Sequence, residues 1–331
     1  MQLVLHSYGL TLKVNNGLFR ISTQDAVRDI SPEIVDSIAV TQSCLLSSDA
    51  VRLAAEAEIP IYFFNRIGDA DACLRSPYFE SIASLRRLQV YFSDDTAGAD
   101  WVLRQFELKT EGQISNLRYL ANRRRKRSAD IDTVCTKLTD RLKQLEKHRP
   151  QKFPDPDWTA RLLGWEGQSA RLYWEELSAC LPPEWQFDRR SRRPAQDAYN
   201  ALTNYFYGML YSITEQALFA AGLDPHLGIL HADEYDRPTL AYDLIEPFRP
   251  WVDRFLLLQI FAEKIPPNLV AQRDGGYWVT HDAKKTLIPA FNAYLEKRNR
   301  WEGRRIDSRA QIFRHAAALA KLIRLTVKRP R

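Results

Sequence analysis

Residues 10–22, "LTLKVNNGLFRIS", set two β-rich runs on either side of a short polar turn, and they decide how the chain begins. Leu, Thr, Val, Phe and Ile suit a pleated surface, and Asn16-Gly17 tolerates left-handed backbone, so the stretch predicts a hairpin. Working outward, "LVLHSYG" at 3–9 and "SIAV" at 37–40 are further strand candidates. "AVRLAAEAE" at 50–58 has helical period behind Ser47, Ser48 or Asp49 as N-cap, and "IPIYFF" at 59–64 reads as a buried strand. Gly, Asp, Ser and Pro in "RIGDADACLRSP" at 66–77 predict a connecting loop.

From Tyr78 onward apolar residues recur every three or four positions. Examples are "ADWVLRQFELKTEGQISNLRYLANRRRK" at 99–126, "IDTVCTKLTDRLKQLEKH" at 131–148 and "DAYNALTNYFYGMLYSITEQALFAAG" at 197–222, with Gly222 as a C-cap. A helix is expected to begin at Glu166 in "EGQSARLYWEELSACL", and "GGYWVT" at 275–280 suggests a small hairpin arm. The expected fold class is α+β, with a β-rich N-terminal domain over residues 1–77 and a larger all-α catalytic domain over 78–331.

Hydrophobic residues at 45 % and charged residues at 27 % describe a chain that folds on its own core. The apolar runs, such as "FLLLQIF" at 255–261, fall short of the roughly 20 residues a bilayer span needs. The opening "MQLVLHSYGL" has neither a basic region nor a cleavage site, so a cytoplasmic protein is expected. Cys44, Cys73, Cys135 and Cys180 lack zinc spacing and suit reduced thiols. Lys and Arg number 47 against 41 Asp and Glu, a net charge of +6. The excess is clustered in "RRRKR" at 123–127, "RRSRR" at 189–193, "KRNRWEGRR" at 297–305 and the tail "VKRPR". Basic runs interleaved with aromatics suit a polyanion such as nucleic acid, although any single run also suits a solvated helix end.

Neither a G-x-x-x-x-G-K-[ST] loop nor G-x-G-x-x-G occurs, so nothing points to nucleotide-driven chemistry. What remains is a His and carboxylate set: Glu166 between Gly164 and Gly167, His231 at the end of an apolar run, and Asp243 and Glu246 three residues apart. Oxygen ligands with one imidazole suit Mg²⁺ or Mn²⁺ better than zinc. The same acids lie beside Arg249, and a local ion pair accounts for them equally well.

Four blocks, in order, go further: "GWEGQSARLYW", "RRSRRPAQDAYNALTNYFYGMLY", "AGLDPHLGILH" and "RPTLAYDLIEPFRPWVDR". Together they closely resemble the signature blocks of the CRISPR-associated integrase, or Cas-one, family. "TQSC" at 41–44 departs from the glycine more common there in that family. The resemblance implies a divalent cation, Mg²⁺ or Mn²⁺, held by Glu166, His231 and Glu246, with Asp243 beside them. It implies an endonuclease or integrase that inserts short double-stranded DNA fragments into a CRISPR array by 3′-hydroxyl attack. Arg189, Arg190, Arg192 and Arg193 are candidates for gripping backbone phosphates near that site, with surface or structural pairing as the alternative. The resemblance further implies a homodimer built on the N-terminal domain, and a Cas-two family partner. Two readings stay open beside it: a metal-dependent nuclease on branched DNA, and a non-catalytic DNA-binding scaffold.

Overall fold

The computed structural model describes residues 2–327 apart from 6–7, 24–25, 36, 58, 65–69, 75, 77–82, 151, 154, 156, 232–236, 266–269, 274 and 302–303. Strand β1 (Gln2–Leu5) precedes the expected hairpin of β2 (Thr11–Asn15) and β3 (Leu18–Ser22). Its turn places Asn16 and Gly17 at φ of 50° and 74°, as the Asn-Gly pair predicts. The register sets Leu12 opposite Ile21 and Val14 opposite Phe19, so Leu12 and Phe19 share one face and are fully buried. There follow β4 (Val27–Ile30), β5 (Ser37–Val40), β6 (Leu45–Leu46), helix α1 (Ser48–Glu56), β7 (Ile61–Phe64) and β8 (Ala70–Leu74).

The strands form two four-stranded sheets, ordered β1-β5-β7-β8 and β4-β3-β2-β6. Leu5, Leu12, Phe19, Ile38 and Ile61 fill a common core with Ala50 and Ala54 of α1. Ser47 is the cap of α1, its hydroxyl accepting the Ala50 N–H at 3.1 Å. Strand β8 corrects the expected loop over 66–77. It pairs antiparallel with β7, Ile61 opposite Leu74. Backbone pairing on an open sheet edge needs no strongly β-forming side chains, which is why "ADACL" reads poorly in sequence.

The chain divides into two compact units, Met1–Ile82 and Ala83–Arg331. The expected boundary after residue 77 lies outside the described residues. The second unit contains α2 (Ala83–Ser93), α3 (Thr96–Arg123), α4 (Ser128–Leu145), α5 (Trp158–Cys180), α6 (Ala198–Ala220), α7 (Thr239–Leu244) and α8 (Arg249–Phe261). Hairpin β9 (Val270–Arg273) and β10 (Gly276–Val279) is the expected arm; α9 (His281–Leu295), β11 (Arg298–Trp301), β12 (Arg304–Asp307) and α10 (Ser308–Thr326) complete it. Pairing of β11 with β12 turns the basic run at 297–305 into a second hairpin, so this unit is mostly rather than wholly helical.

Helix α5 also differs from expectation. It begins at Trp158, eight residues before Glu166, because Trp158, Leu162, Trp165 and Ser169 form a buried stripe at helical spacing. Gly164 and Gly167, which flank Glu166, lie inside the helix and face open space where no packing is lost.

One half-buried histidine, His315, is expected to make the helical unit acid-sensitive. Gln105 donates its amide to the Trp101 carbonyl, which turns its oxygen toward His315, so His315 donates from Nε2 at 2.6 Å. Burial, reinforced by the Arg104 charge, pushes the His315 pKa down to about 4. A histidine depressed in the folded state contributes stability fully above its unfolded pKa near 6.5 and loses it as pH falls toward 4. The expected loss is about 2–3 kcal/mol. Chemical denaturation at pH 7 and pH 4.5 should show that loss in the wild type and not in His315→Gln; parallel pH dependence in the two proteins would rule it out.

Candidate functional site

The centre of the second unit is built on α3. Phe106, Lys109, Gln113, Asn116 and Leu120 lie along its buried side, so a lysine is carried into the interior among apolar and amide groups. Close approach at Gly112 makes this possible: a Cβ there would lie 2.9 Å from Pro250 Cβ, and only glycine lets the start of α8 pack so near. That contact brings the 3₁₀ turn Glu246–Phe248 against α3.

Lys109 Nζ lies 2.5 Å from Glu166 Oε1 on α5 and 2.7 Å from Glu246 Oε2. Glu246 Oε1 meets Arg249 Nη2 at 3.0 Å, and Arg249 also donates to the Tyr211 hydroxyl. Burial alone would raise the Glu246 pKa, but the Arg249 and Lys109 charges outweigh it and hold this carboxyl below the ordinary value. Lys109 behaves conversely: burial opposes its charge, and Glu246 and Glu166 more than restore it. Glu246 Oε2 is buried without an aligned hydrogen bond, although the Lys109 charge lies beside it. The two glutamates thus converge on one cationic point from different elements.

Asp243 plays a separate part. Its Oδ2 accepts the Ile229 and Leu230 N–H groups at 2.7 and 3.1 Å, and its Oδ1 meets His231 Nδ1 at 2.6 Å. Both oxygens are committed, and the side chain is buried. The bend that delivers His231 depends on Gly228, where a Cβ would lie 2.4 Å from the His231 carbonyl oxygen and 2.8 Å from Thr239 Cβ. Burial opposes charge on His231, but the hydrogen bond and charge of Asp243, helped by Glu246, raise its proton affinity overall. A carboxylate accepting from Nδ1 leaves Nε2 as the basic nitrogen of a partly exposed ring.

Sequence spacing grouped Asp243 with Glu246 on one side; the structure parts them, giving one to His231 and the other to Lys109 and Arg249. The local ion pair anticipated with Arg249 is formed by Glu246. Among the described residues, no set of three His, Cys, Asp or Glu side chains is drawn together tightly enough to hold a metal ion. Lys109 stands between the two glutamates instead.

Beside this centre lies a cleft of about 440 Å³, lined by Lys109, Glu166, Trp174, Arg189, Arg192 and Arg249 among others. Arg189 and Arg192 are exposed there. Arg190 also lines the cleft, but its guanidinium donates to Asn200 and Asn204 and lies over the Trp174 ring, so its donors serve the fold. Arg193 is exposed and does not line the cleft.

Sequence reasoning missed Lys109 and a buried support behind it. Tyr173 and Tyr207 both donate to Asp253 at 2.9 Å, and Asn116 bridges Tyr173 to the Pro250 carbonyl. Burial raises the Asp253 pKa to about 6 against the pull of those hydroxyls. The one available signal was a lysine and two amides on the apolar stripe of α3, where solvated residues are not expected.

A family model described as CRISPR associated protein Cas1, the Cas-one family above, matches residues 3–293. CRISPR-associated endonuclease Cas1 1 of Archaeoglobus fulgidus is 28 % identical over 339 residues, covering 98 % of this chain and 96 % of its own. Among solved structures, a casposase bound to integration product has a TM-score of 0.78 at 24 % identity, covering 99 % of this chain and 92 % of its own. A chain of a Cas6-RT-Cas1–Cas2 complex has a TM-score of 0.74 at 20 % identity, covering 98 % of this chain and 35 % of its own. At these identities the two solved structures speak for a shared fold.

Proposed function

The chain belongs to the CRISPR-associated Cas1 family, and on that premise we propose that it is a divalent-cation-dependent DNA integrase that joins short duplex fragments to a CRISPR repeat. The observation that carries the reading is the convergence of Glu166 and Glu246 on one cationic point beside an arginine-lined cleft. A casposase with an integration product shares the fold, and the curated relative is called an endonuclease.

Glu166, Glu246 and Nε2 of His231 would hold the cation. The donor set fits: two carboxylates already neutralised by a cation, one with a buried oxygen lacking an aligned hydrogen bond, and an imidazole whose other nitrogen is fixed by a carboxylate. When bound, Mg²⁺ or Mn²⁺ supplies polarisation of the phosphoryl oxygen and stabilises charge at the attacking 3′-hydroxyl. Asp243 keeps His231 in the tautomer with a free Nε2. Arg189 and Arg192 draw the phosphodiester backbone into the cleft, and Arg249 holds Glu246 in place. Breaking one phosphodiester while forming another needs no nucleotide, in keeping with the missing phosphate-binding loops.

A supercoiled plasmid carrying a repeat, incubated with 3′-hydroxyl duplexes, tests this on a gel. Half-site products are expected with Mg²⁺ or Mn²⁺ and not with chelator. Equal joining in chelator sinks the metal reading; hydrolysis without joined strands favours a nuclease.

DNA affinity should fall steeply with salt because phosphate contacts release counterions. Replacing Arg189 and Arg192 together by Ala should flatten the slope of log affinity against log salt by about 0.9 per lost contact. Titration in a salt series decides it, and an unchanged slope and affinity would assign these arginines to the fold.

The same reading includes a homodimer through the N-terminal unit and a Cas2 partner. Its support is a chain of a Cas1–Cas2 complex sharing the fold, and exposed apolar groups at Tyr8, on edge strand β4 at Val27, and on edge strand β6 at Leu45.

A further inference from the structure

The point on which Glu166 and Glu246 converge is held by a side chain of this protein. We propose that Lys109 is a resident counter-cation that keeps the metal's place in the metal-free protein and is displaced when the divalent cation enters. This rests on the metal reading above.

Three observations carry it. Lys109 Nζ reaches both glutamates, at 2.5 and 2.7 Å, with its side chain only 8 % exposed. Two carboxylates facing one another repel, and the ammonium removes that repulsion while no other cation is present. Second, Lys109 is not the sole relief for either glutamate: Glu246 also has Arg249 on its other oxygen, and the Glu166 side chain is 26 % exposed and can be hydrated. The contact to Glu246 Oε2 is an attraction of charges without an aligned hydrogen bond, a weaker tether than a bidentate arginine would make. Third, Lys109 lines the cleft with Gln113, and lysine is a point charge on a flexible stem. Released from the glutamates, its ammonium would stay on the wall shared with Arg189 and Arg192, available to a DNA phosphate.

A placeholder and a structural lysine make opposite predictions. If Lys109 only supported the fold, Lys109→Met would loosen the site and weaken metal binding. As a placeholder, its removal abolishes a competitor, and Lys109→Met should bind Mn²⁺ at least about 10-fold more tightly than the wild type, the scale of one unit charge removed from close range. The variant should also unfold at lower temperature in chelator and regain more of its stability on adding Mn²⁺.

Calorimetric Mn²⁺ titration of wild type and Lys109→Met is the first measurement. The second needs no variant: acetylation of lysines on the wild-type chain, read by mass spectrometry, with the exposed Lys143 as internal reference. Labelling of Lys109 should be slow in chelator and rise several-fold relative to Lys143 when Mn²⁺ is added. Tighter binding by the variant, or metal-induced labelling of Lys109, supports the placeholder. Equal or weaker Mn²⁺ binding by a folded variant, with Lys109 labelling unmoved by metal in the wild type, overturns it and leaves the metal reading standing. If the wild type and the variant both take up no Mn²⁺, the metal reading itself fails and the placeholder falls with it.

Discussion

Glu166→Gln is expected to cut strand joining by about 10³-fold or more while leaving the fold intact. The side chain lies within α5, a quarter exposed, and it pairs with the buried Lys109. Glutamine keeps the shape and can still accept from the lysine, whose charge Glu246 still balances, so the stability cost should stay below the about 3–5 kcal/mol of a fully broken buried pair. What is lost is one of two charges that converge on a cation. Glu246→Gln is the less clean experiment, because Glu246 is buried and its neutralisation leaves Arg249 and Lys109 as cations without a full counter-charge. Breaking such a buried pair typically costs about 3–5 kcal/mol, so lost activity there would be mixed with lost structure. The test is gel-resolved joining together with thermal unfolding of Glu166→Gln. A folded variant that joins strands at the wild-type rate removes Glu166 from the chemistry.

Asp243→Asn should lower joining by about 10²- to 10⁴-fold and weaken Mn²⁺ binding by about 10- to 100-fold. Asp243 accepts on both oxygens, from two backbone N–H groups on one and His231 on the other. Asparagine has only one acceptor oxygen. Turned to satisfy Ile229 and Leu230, it offers an N–H to His231 Nδ1, and the ring proton moves to Nε2, the nitrogen needed as a ligand. Turned the other way, it sets donor against donor in the buried loop, leaving polar groups unsatisfied. Either arrangement harms the site without touching Glu166 or Glu246. Calorimetric Mn²⁺ titration and joining rates on the folded variant decide it, and wild-type values for both would show that Asp243 does not orient His231.

Much of the architecture was legible because it rests on local rules. Asn-Gly between alternating runs forced the β2–β3 turn, Ser47 capped α1, and three- to four-residue periodicity marked every long helix. Each misreading has its own physical cause. Strand β8 forms on an open edge through backbone groups that all residues share, and the first turns of α5 look broken only because glycines on an exposed face count against a helix in sequence. The hairpin β11–β12 was hidden by its charges, which drew attention to binding rather than to alternation.

At the site, order and identity of the signature residues were determined by the sequence alone: Glu166, His231, Asp243 and Glu246 stand in blocks whose joint resemblance singles out one family, and the basic runs already suggested a polyanion. Their division of labour was decided only in three dimensions. A spacing of three residues says that two acids share a side, but which cation each meets depends on the helices that cross there. Gly112 lets α8 press against α3, and that contact delivers Lys109 to Glu246 from 137 positions earlier in the chain. Gly228 folds the loop so that Asp243 closes on His231. Arg190 and Arg192 are near neighbours in one basic run, yet packing against Trp174, Asn200 and Asn204 occupies the first and leaves the second facing the cleft. Charge strength follows the same rule, because burial and the nearest opposite charge set it, and both are properties of the packed chain rather than of the residue.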